Sequence, residues 1–387
     1  MLTLIENGEI YAPEPKGRLS VLLSGNKILK TGPVDRRALD RLVVDYEVID
    51  AADRLVVPGV IDPHEHLVGG TGEKGFGSKT PEIFLAEIVS AGITTVVGTL
   101  GVDSTTTNMV GLLAKVKALR QQGMGAYLYT GGYNVPPSTI TTSVRDDILL
   151  IDEVIGAGEI AISDVRSTDP SPHELAKLVN DAYVGGIISG KAGITHFHVG
   201  EKKKRLALLR TVLDDFDAEA GSLYPTHVER TEPLMKEALE LVQRGCTVDI
   251  DVVNKDLPKW MKYYFNHDGN PAQLTVSSDS FLTGPHNLFE QIRACVLDYK
   301  FPLEQVLPLV TANTARILKL NSKGRLKEKM DADVLVLERD SLAIVEVIAG
   351  GTRMVRDGQL AVAEGFLEGS DRTIEMSGKK ALENVSG

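Results

Sequence analysis

Polar and apolar positions change rhythm twice along this chain. From residue 1 to 57 they alternate in short runs, LTLIENGEIY, SVLLSGNKILKTG and EVIDAADRLVVPG, with Asn7-Gly8 and Gly25-Asn26 read as hairpin-type turns. No helix of useful length fits the first 33 residues. The run DADVLVLERDSLAIVEVIAGGTRMVRDGQLAV near the other end has the same texture, with turns expected at Gly350-Gly351 and Asp357-Gly358. Two strand-rich ends around a different middle predict that segments 1–57 and 326–387 pair into one small β-sandwich domain.

Between them, over 58–325, apolar runs of strand length alternate with runs of helical period. The strand candidates are VVPGVIDPH, ITTVVGTL, AYLYTGGY, EIAISDVRS, ITHFHVG, LYPTHVER, TVDIDVV and LTVSSDS. Helices are expected in PEIFLAEIVSAG, TNMVGLLAKVKALRQQG and TEPLMKEALELVQRG, the last stopped by Gly245. Eight such repeats fit an α/β fold with a (β/α)8 TIM barrel. A doubly wound open sheet is the alternative; polar residues closing so many strands favour the barrel.

Composition narrows the function classes. A net charge of −11 and 5% aromatic residues argue against a nucleic-acid partner, which needs clustered cations and stacking rings. The run KKKR at 202–205 therefore reads as a solvated face. No stretch approaches the ~18 uninterrupted apolar residues of a membrane span. Acidic residues stand where a signal peptide would need a basic patch, and the two cysteines, Cys246 and Cys295, read as reduced buried thiols. A cytoplasmic enzyme without nucleic-acid or membrane partners is the expectation.

The chemistry concentrates at the ends of the predicted strands. His64 and His66 lie two apart at the end of an apolar strand, so both point to one face. Alone, such a pair is equally a core-satisfied or solvent-facing one. However, His198, His227 and Asp279 each close a later strand, where barrel enzymes carry their catalytic groups. Four histidines and an aspartate so placed predict a metal site; imidazole and carboxylate suit zinc, with manganese or iron open. His196 reads as a packing or supporting residue, and His173, His267 and His286 as surface residues.

The PG-x-ID-x-H-x-H segment followed by single His, His and Asp resembles the amidohydrolase superfamily. Closer still, HEHLVGGTGEKG, TGGYNVP, AISDVRS, FHVG and PTHVER resemble the isoaspartyl dipeptidases (β-aspartyl peptidases), nearly end to end. The resemblance implies two divalent metals, zinc first: His64, His66 and Asp279 hold one, His198 and His227 the other, and a carboxylate bridges them. It implies a metal-bridging hydroxide as nucleophile, Asp279 as proton carrier and Tyr133 as donor to the developing oxyanion. Glu73 would grip the substrate ammonium, and Arg166 and Arg230 its carboxylates. The substrate would be a β-aspartyl dipeptide released from damaged protein, and the enzyme a homo-oligomer, an octamer being one form the family allows. A related amidohydrolase acting on another N-acyl amino acid or a cyclic amide is the second reading, and a non-catalytic scaffold the third.

Two departures stand out. Where the family carries a carbamylated lysine bridge, this chain has Glu159, shorter by roughly 3–4 Å in reach. The backbone would have to move inward, which Gly156 and Gly158 permit. A bridging Glu159 is the expectation, and a single-metal enzyme the rival. The run after Asp279, SFLTGPHNLFEQ, is short, leaving Thr283 as either a substrate contact or turn filler.

Overall fold

The computed structural model describes residues 2–41, 45–70 and 73–371. Residues 372–387 of the expected C-terminal segment, and Thr71 and Gly72 of the glycine-rich loop, lie outside it. The first strands are β1 (Leu2–Tyr11), β2 (Pro15–Ser24), β3 (Lys27–Gly32), β4 (Tyr46–Asp50) and β5 (Arg54–Pro58). The middle supplies β6 (Val60–Glu65), β7 (Ile93–Gly98), β8 (Gly125–Thr130), β9 (Val154–Ile162), β10 (Ile194–Val199), β11 (Leu223–Thr226), β12 (Val248–Asp251) and β13 (Leu274–Ser277). The C-terminal strands are β14 (Val334–Glu338), β15 (Ile344–Ala349), β16 (Thr352–Arg356) and β17 (Gln359–Leu360).

Both termini build one mixed sheet of nine strands, ordered β17-β16-β15-β14-β5-β1-β2-β3 with β4 also on β1. The two ends thus pair into one β unit, as expected: β5 pairs with β1 on one side and β14 on the other, so the two halves share a ladder. The sheet encloses its own core, including Ile5, Ile10, Val21, Val56, Val334 and Ile348.

The turns at Gly25-Asn26, Gly350-Gly351 and Asp357-Gly358 connect adjacent antiparallel strands as expected. Asn7-Gly8 is not a hairpin turn. β1 runs through it with a bulge, Asn7 adopts φ 64° and donates to Asp50 Oδ1 at 2.9 Å. Gly8 is required there, because a Cβ would meet Val56 Cγ2 at 2.5 Å. The bulge lies where β1 passes from pairing with β4 to pairing with β5.

The middle strands form a six-stranded parallel sheet, β6 to β11 in sequence order, with β12 and β13 as a separate parallel pair. A complete eight-stranded ladder, which the barrel expectation required, is not formed among the described residues. At one side the Asp279 amide donates to the His64 carbonyl at 3.1 Å and the His66 amide to the Ser280 carbonyl at 3.3 Å. At the other, Thr226 Oγ1 and Tyr224 Oη donate to Asp249 from β11 across to β12, side chains standing where a ladder would be. Outward residues such as Phe197, Val199, Ile250 and Val276 pack under the helices. Inward ones, among them His196, Tyr224, Asp249 and Thr275, form a polar interior beneath the strand ends. Helices expected from periodicity form at Leu85–Ser90, Met109–Gln121 and Glu232–Gln243. Asn108 and Thr231 cap the last two, their side chains accepting from Gly111 and Leu234 amides.

One buried charge joins the two parts. Lys323, 7% exposed, donates to Asp333 Oδ2 at 2.6 Å and stands 3.1 Å from Asp331 Oδ2, while the Gly59 amide donates to the Asp333 carbonyl. Lys323→Ala would leave buried Asp333 without its partner, a loss of about 3–5 kcal/mol. A urea midpoint unchanged from wild type would contradict that expectation.

Candidate metal centre

Strand alternation and one bulge bring the predicted side chains together. On β10, Thr195, Phe197 and Val199 face the helices, so His196 and His198 face inward. β9 and β10 pair as Ala157↔Thr195 and then Ile160↔Phe197, so His196 opposes two residues, Gly158 and Glu159. The extra residue turns Glu159 inward; in a regular ladder it would share the outward face with its neighbours. Its amide donates to Thr99 Oγ1 at 3.1 Å. The inward shift required by the shorter side chain is thus achieved by a bulge.

Glu159 is fully buried and lies between two imidazoles. Its Oε2 contacts His64 Nε2 and its Oε1 stands 3.0 Å from His198 Nδ1. Asp279 Oδ1 lies 3.1 Å from His66 Nε2 and 3.4 Å from His64 Nε2. The rings of His198 and His227 are 4.4 Å apart between centroids. Three overlapping groups offer donor atoms within 4.8 Å of each other: His64, His66, Glu159 and Asp279; Glu159, His198 and His227; and His227, Asp251 and Asp279. Glu159 belongs to the first two, and Asp279 to the first and third.

The orientation of the rings tests whether metals fit. His227 Nδ1 lies 2.6 Å from Asp251 Oδ2, so it donates there and Nε2 carries the lone pair. Among the described residues, His227 Nε2 is buried with no hydrogen-bond partner, and His64 Nε2 and Glu159 Oε2 are buried with only their contact to each other and, for His64, to Asp279. Such an orphaned atom is costly unless something occupies the space beside it. Burial opposes charge on His64, yet Glu159 and Asp279 beside it lift its pKa to about 10. The two carboxylates thus favour positive charge at His64, where a cation would sit. These donors fit two divalent metals.

Above the cluster opens a cavity of about 340 Å³ lined by residues including His66, Glu73, Tyr133, Arg166, Arg230 and Asp279. Arg166 donates to Glu73 Oε1 at 2.6 Å and forks onto both oxygens of Asp164, at 2.8 and 2.9 Å. Arg230 Nη1 stands 3.9 Å from the same aspartate. Tyr133 Oη lies 2.8 Å from His198 Nδ1. Burial, reinforced by the charge of Glu159, raises its pKa well above that of an ordinary phenol, so it remains a donor.

Thr283 does not line the cavity; Phe281 of the same run does. The Thr283 hydroxyl is buried without a hydrogen-bond partner among the described residues. His173, His267 and His286 are exposed, as expected, and Lys202 and Arg205 of the basic run pair with Asp169 and Glu237. Sequence reasoning missed Asp164 and Asp251. Both are acids at strand ends, in ISDVRS and TVDIDVV, the same positional signal that singled out the histidines.

The chain belongs to the amidohydrolase family, whose sequence model matches residues 55–360. More particularly, it is built like a β-aspartyl dipeptidase. The crystal structure of one from Fervidobacterium islandicum AW-1 is 37% identical, covers 94% of this chain and 99% of its own, and superposes with a TM-score of 0.90. The structure of that enzyme in complex with β-Asp-Leu is 36% identical, with 94% and 98% coverage and a TM-score of 0.88. An imidazolonepropionase from Geobacillus kaustophilus (strain HTA426) is 39% identical over 95 residues, 24% of this chain. That stretch spans only 20% of the curated relative's length.

The bulge predicts its own sensitivity. Gly158 has φ +149°, and a Cβ there would lie 2.8 Å from both the Cβ and the carbonyl oxygen of His196. Gly158→Ala is expected to cost about 1–3 kcal/mol and to lower bound metal, read by thermal melting and elemental analysis. Full stability with full metal content would show that Glu159 does not need this backbone.

Proposed function

We propose that this chain hydrolyses β-aspartyl dipeptides, with Glu159 bridging two divalent metals, zinc foremost. The observation that carries the reading is the buried Glu159 carboxylate common to the group of His64, His66 and Asp279 and the group of His198 and His227, beneath a cavity walled by Glu73, Arg166 and Arg230. His64, His66 and Asp279 would hold one metal, His198 and His227 the other. The metals would supply an activated water at neutral pH and polarise the scissile carbonyl.

The chain's own residues do the rest. Asp279, at the rim of the cluster, is placed to accept the proton of the attacking water and pass it to the leaving amine. Tyr133, held protonated, donates to the carbonyl oxygen as negative charge grows on it. Glu73 takes the free ammonium, while Arg166 and Arg230 take carboxylates. These groups also pair among themselves, Arg166 with Glu73 and Asp164. A substrate bearing one ammonium and two carboxylates offers a cation to Glu73 and an anion to each arginine, whereas a cyclic amide lacks that charge pattern. The same reading treats β6 to β13 as one eight-stranded barrel over 58–325, with the terminal sheet as a second domain. It also takes the protein as cytoplasmic and homo-oligomeric; among the described residues no helix is long and apolar enough to cross a membrane.

Wild type should bind two metals per chain and cleave β-Asp-Leu in preference to α-Asp-Leu. Glu159→Ala should lose a metal, with activity falling by more than the 10–100-fold typical of an outer-shell partner. Two metals without β-Asp-Leu cleavage would discard the substrate, and one metal unaffected by Glu159→Ala would discard the bridge. Metal uptake should also release a proton. His64, with its pKa raised to about 10, is protonated at neutral pH, and the cation must displace that proton. Apparent affinity should therefore rise with pH, by about tenfold per unit, in chelator competition between about pH 6 and about pH 8. A flat profile would contradict the linkage.

A further inference from the structure

His196 is not in either ligand group, yet it touches one ligand directly. Its Nε2 lies 2.9 Å from His64 Nδ1, and its Nδ1 lies 2.9 Å from the Tyr224 carbonyl oxygen. A carbonyl oxygen only accepts, so His196 Nδ1 must donate to it. In the neutral ring, Nε2 is then an acceptor, and the hydrogen in the second contact belongs to His64 Nδ1. That leaves Nε2 as the only nitrogen of His64 able to bind a cation, and Nε2 is buried facing Glu159 Oε2 and Asp279 Oδ1.

We infer that His196 is a positioning residue that fixes the tautomer and ring orientation of His64 for metal binding, through a relay from the Tyr224 carbonyl. This rests on the reading above that His64 holds a metal. Asp251 serves His227 in the same way, but as a carboxylate; the acceptor behind His64 is a neutral imidazole. The His196 ring is well clamped. Tyr129 and Tyr224 lie 5.0 and 4.7 Å away, centroid to centroid, and His64 meets it edge-on at 4.9 Å. Its backbone faces Gly158 at the bulge that turns Glu159 inward. One residue thus supports a terminal ligand and the carboxylate shared by both ligand groups.

Two isosteric substitutions separate positioning from packing. In His196→Asn the amide nitrogen can replace Nδ1 toward Tyr224, but nothing reaches His64. In His196→Gln the amide oxygen can replace Nε2 and accept from His64. Apo protein prepared with a chelator is titrated with Zn2+ against a competing chelator, with thermal melting as the fold control. His196→Asn should lose 10–100-fold in affinity at one of two sites and leave the other unchanged, and His196→Gln should recover most of that loss. Equal affinities in wild type and His196→Asn would overturn the inference, as would a His196→Gln protein weaker than His196→Asn. A wild-type chain binding no Zn2+ would instead remove the underlying metal reading, and the inference with it.

Discussion

Glu159 is a carboxylate with 0% exposure, and burying such a charge costs several kcal/mol unless it is paired. The surrounding arrangement follows from that constraint. His64 and His198 reach it from β6 and β10, so strands far apart in sequence are tied to one atom group. The contacts hold its pKa well below the usual carboxylate range even though burial alone would raise it. An anion is thereby maintained among imidazoles. Removing the positive partner, whether proton or metal, would leave the anion unpaired. The site therefore favours cations for the same reason that the fold tolerates Glu159.

The cavity above repeats this logic with weaker constraints. Asp164 accepts two hydrogen bonds from Arg166, and Glu73 a third, so the guanidinium is oriented before any ligand arrives. Pairing costs less than leaving the groups desolvated and alone, and it keeps the arginine extended over the cluster. A ligand carrying both charge types can pair with Glu73 and Arg166 together. One bearing a single charge would leave either Glu73 or Arg166 uncompensated. Charge matching in this cavity is thus a selection against partial matches as much as an attraction to complete ones.

The ligand residues were legible because their position carries the information. Each of His64, His198, His227 and Asp279 follows an apolar strand, and parallel strands deliver such residues to one edge. Glu159 was legible as an identity but not as a geometry. Whether it faced inward depended on one extra residue relative to β10, and register between strands is not written in either strand alone. The same limit explains Asn7-Gly8, a turn signature by composition that became a bulge because two different strands compete for β1. It also covers the terminal sheet: alternation predicted the strands, but not that β5 would join the two halves by pairing on both sides. Asp251 and Asp164 were within reach, since both end strands beside residues already chosen.

The bulge and the glutamate are best understood as one change. A longer bridging side chain can span the distance to both ligand groups from a regular strand, and it would be overlong from a backbone already displaced inward. A glutamate on a regular strand would point toward the helices and leave its charge among Val, Ile and Leu side chains. Gly158 is what makes the displaced backbone possible, because any Cβ there collides with His196. His196 in turn cannot move without releasing His64. Three positions on two neighbouring strands, 158, 159 and 196, thus constrain one another through contact, and a substitution at any one alters what the other two can do.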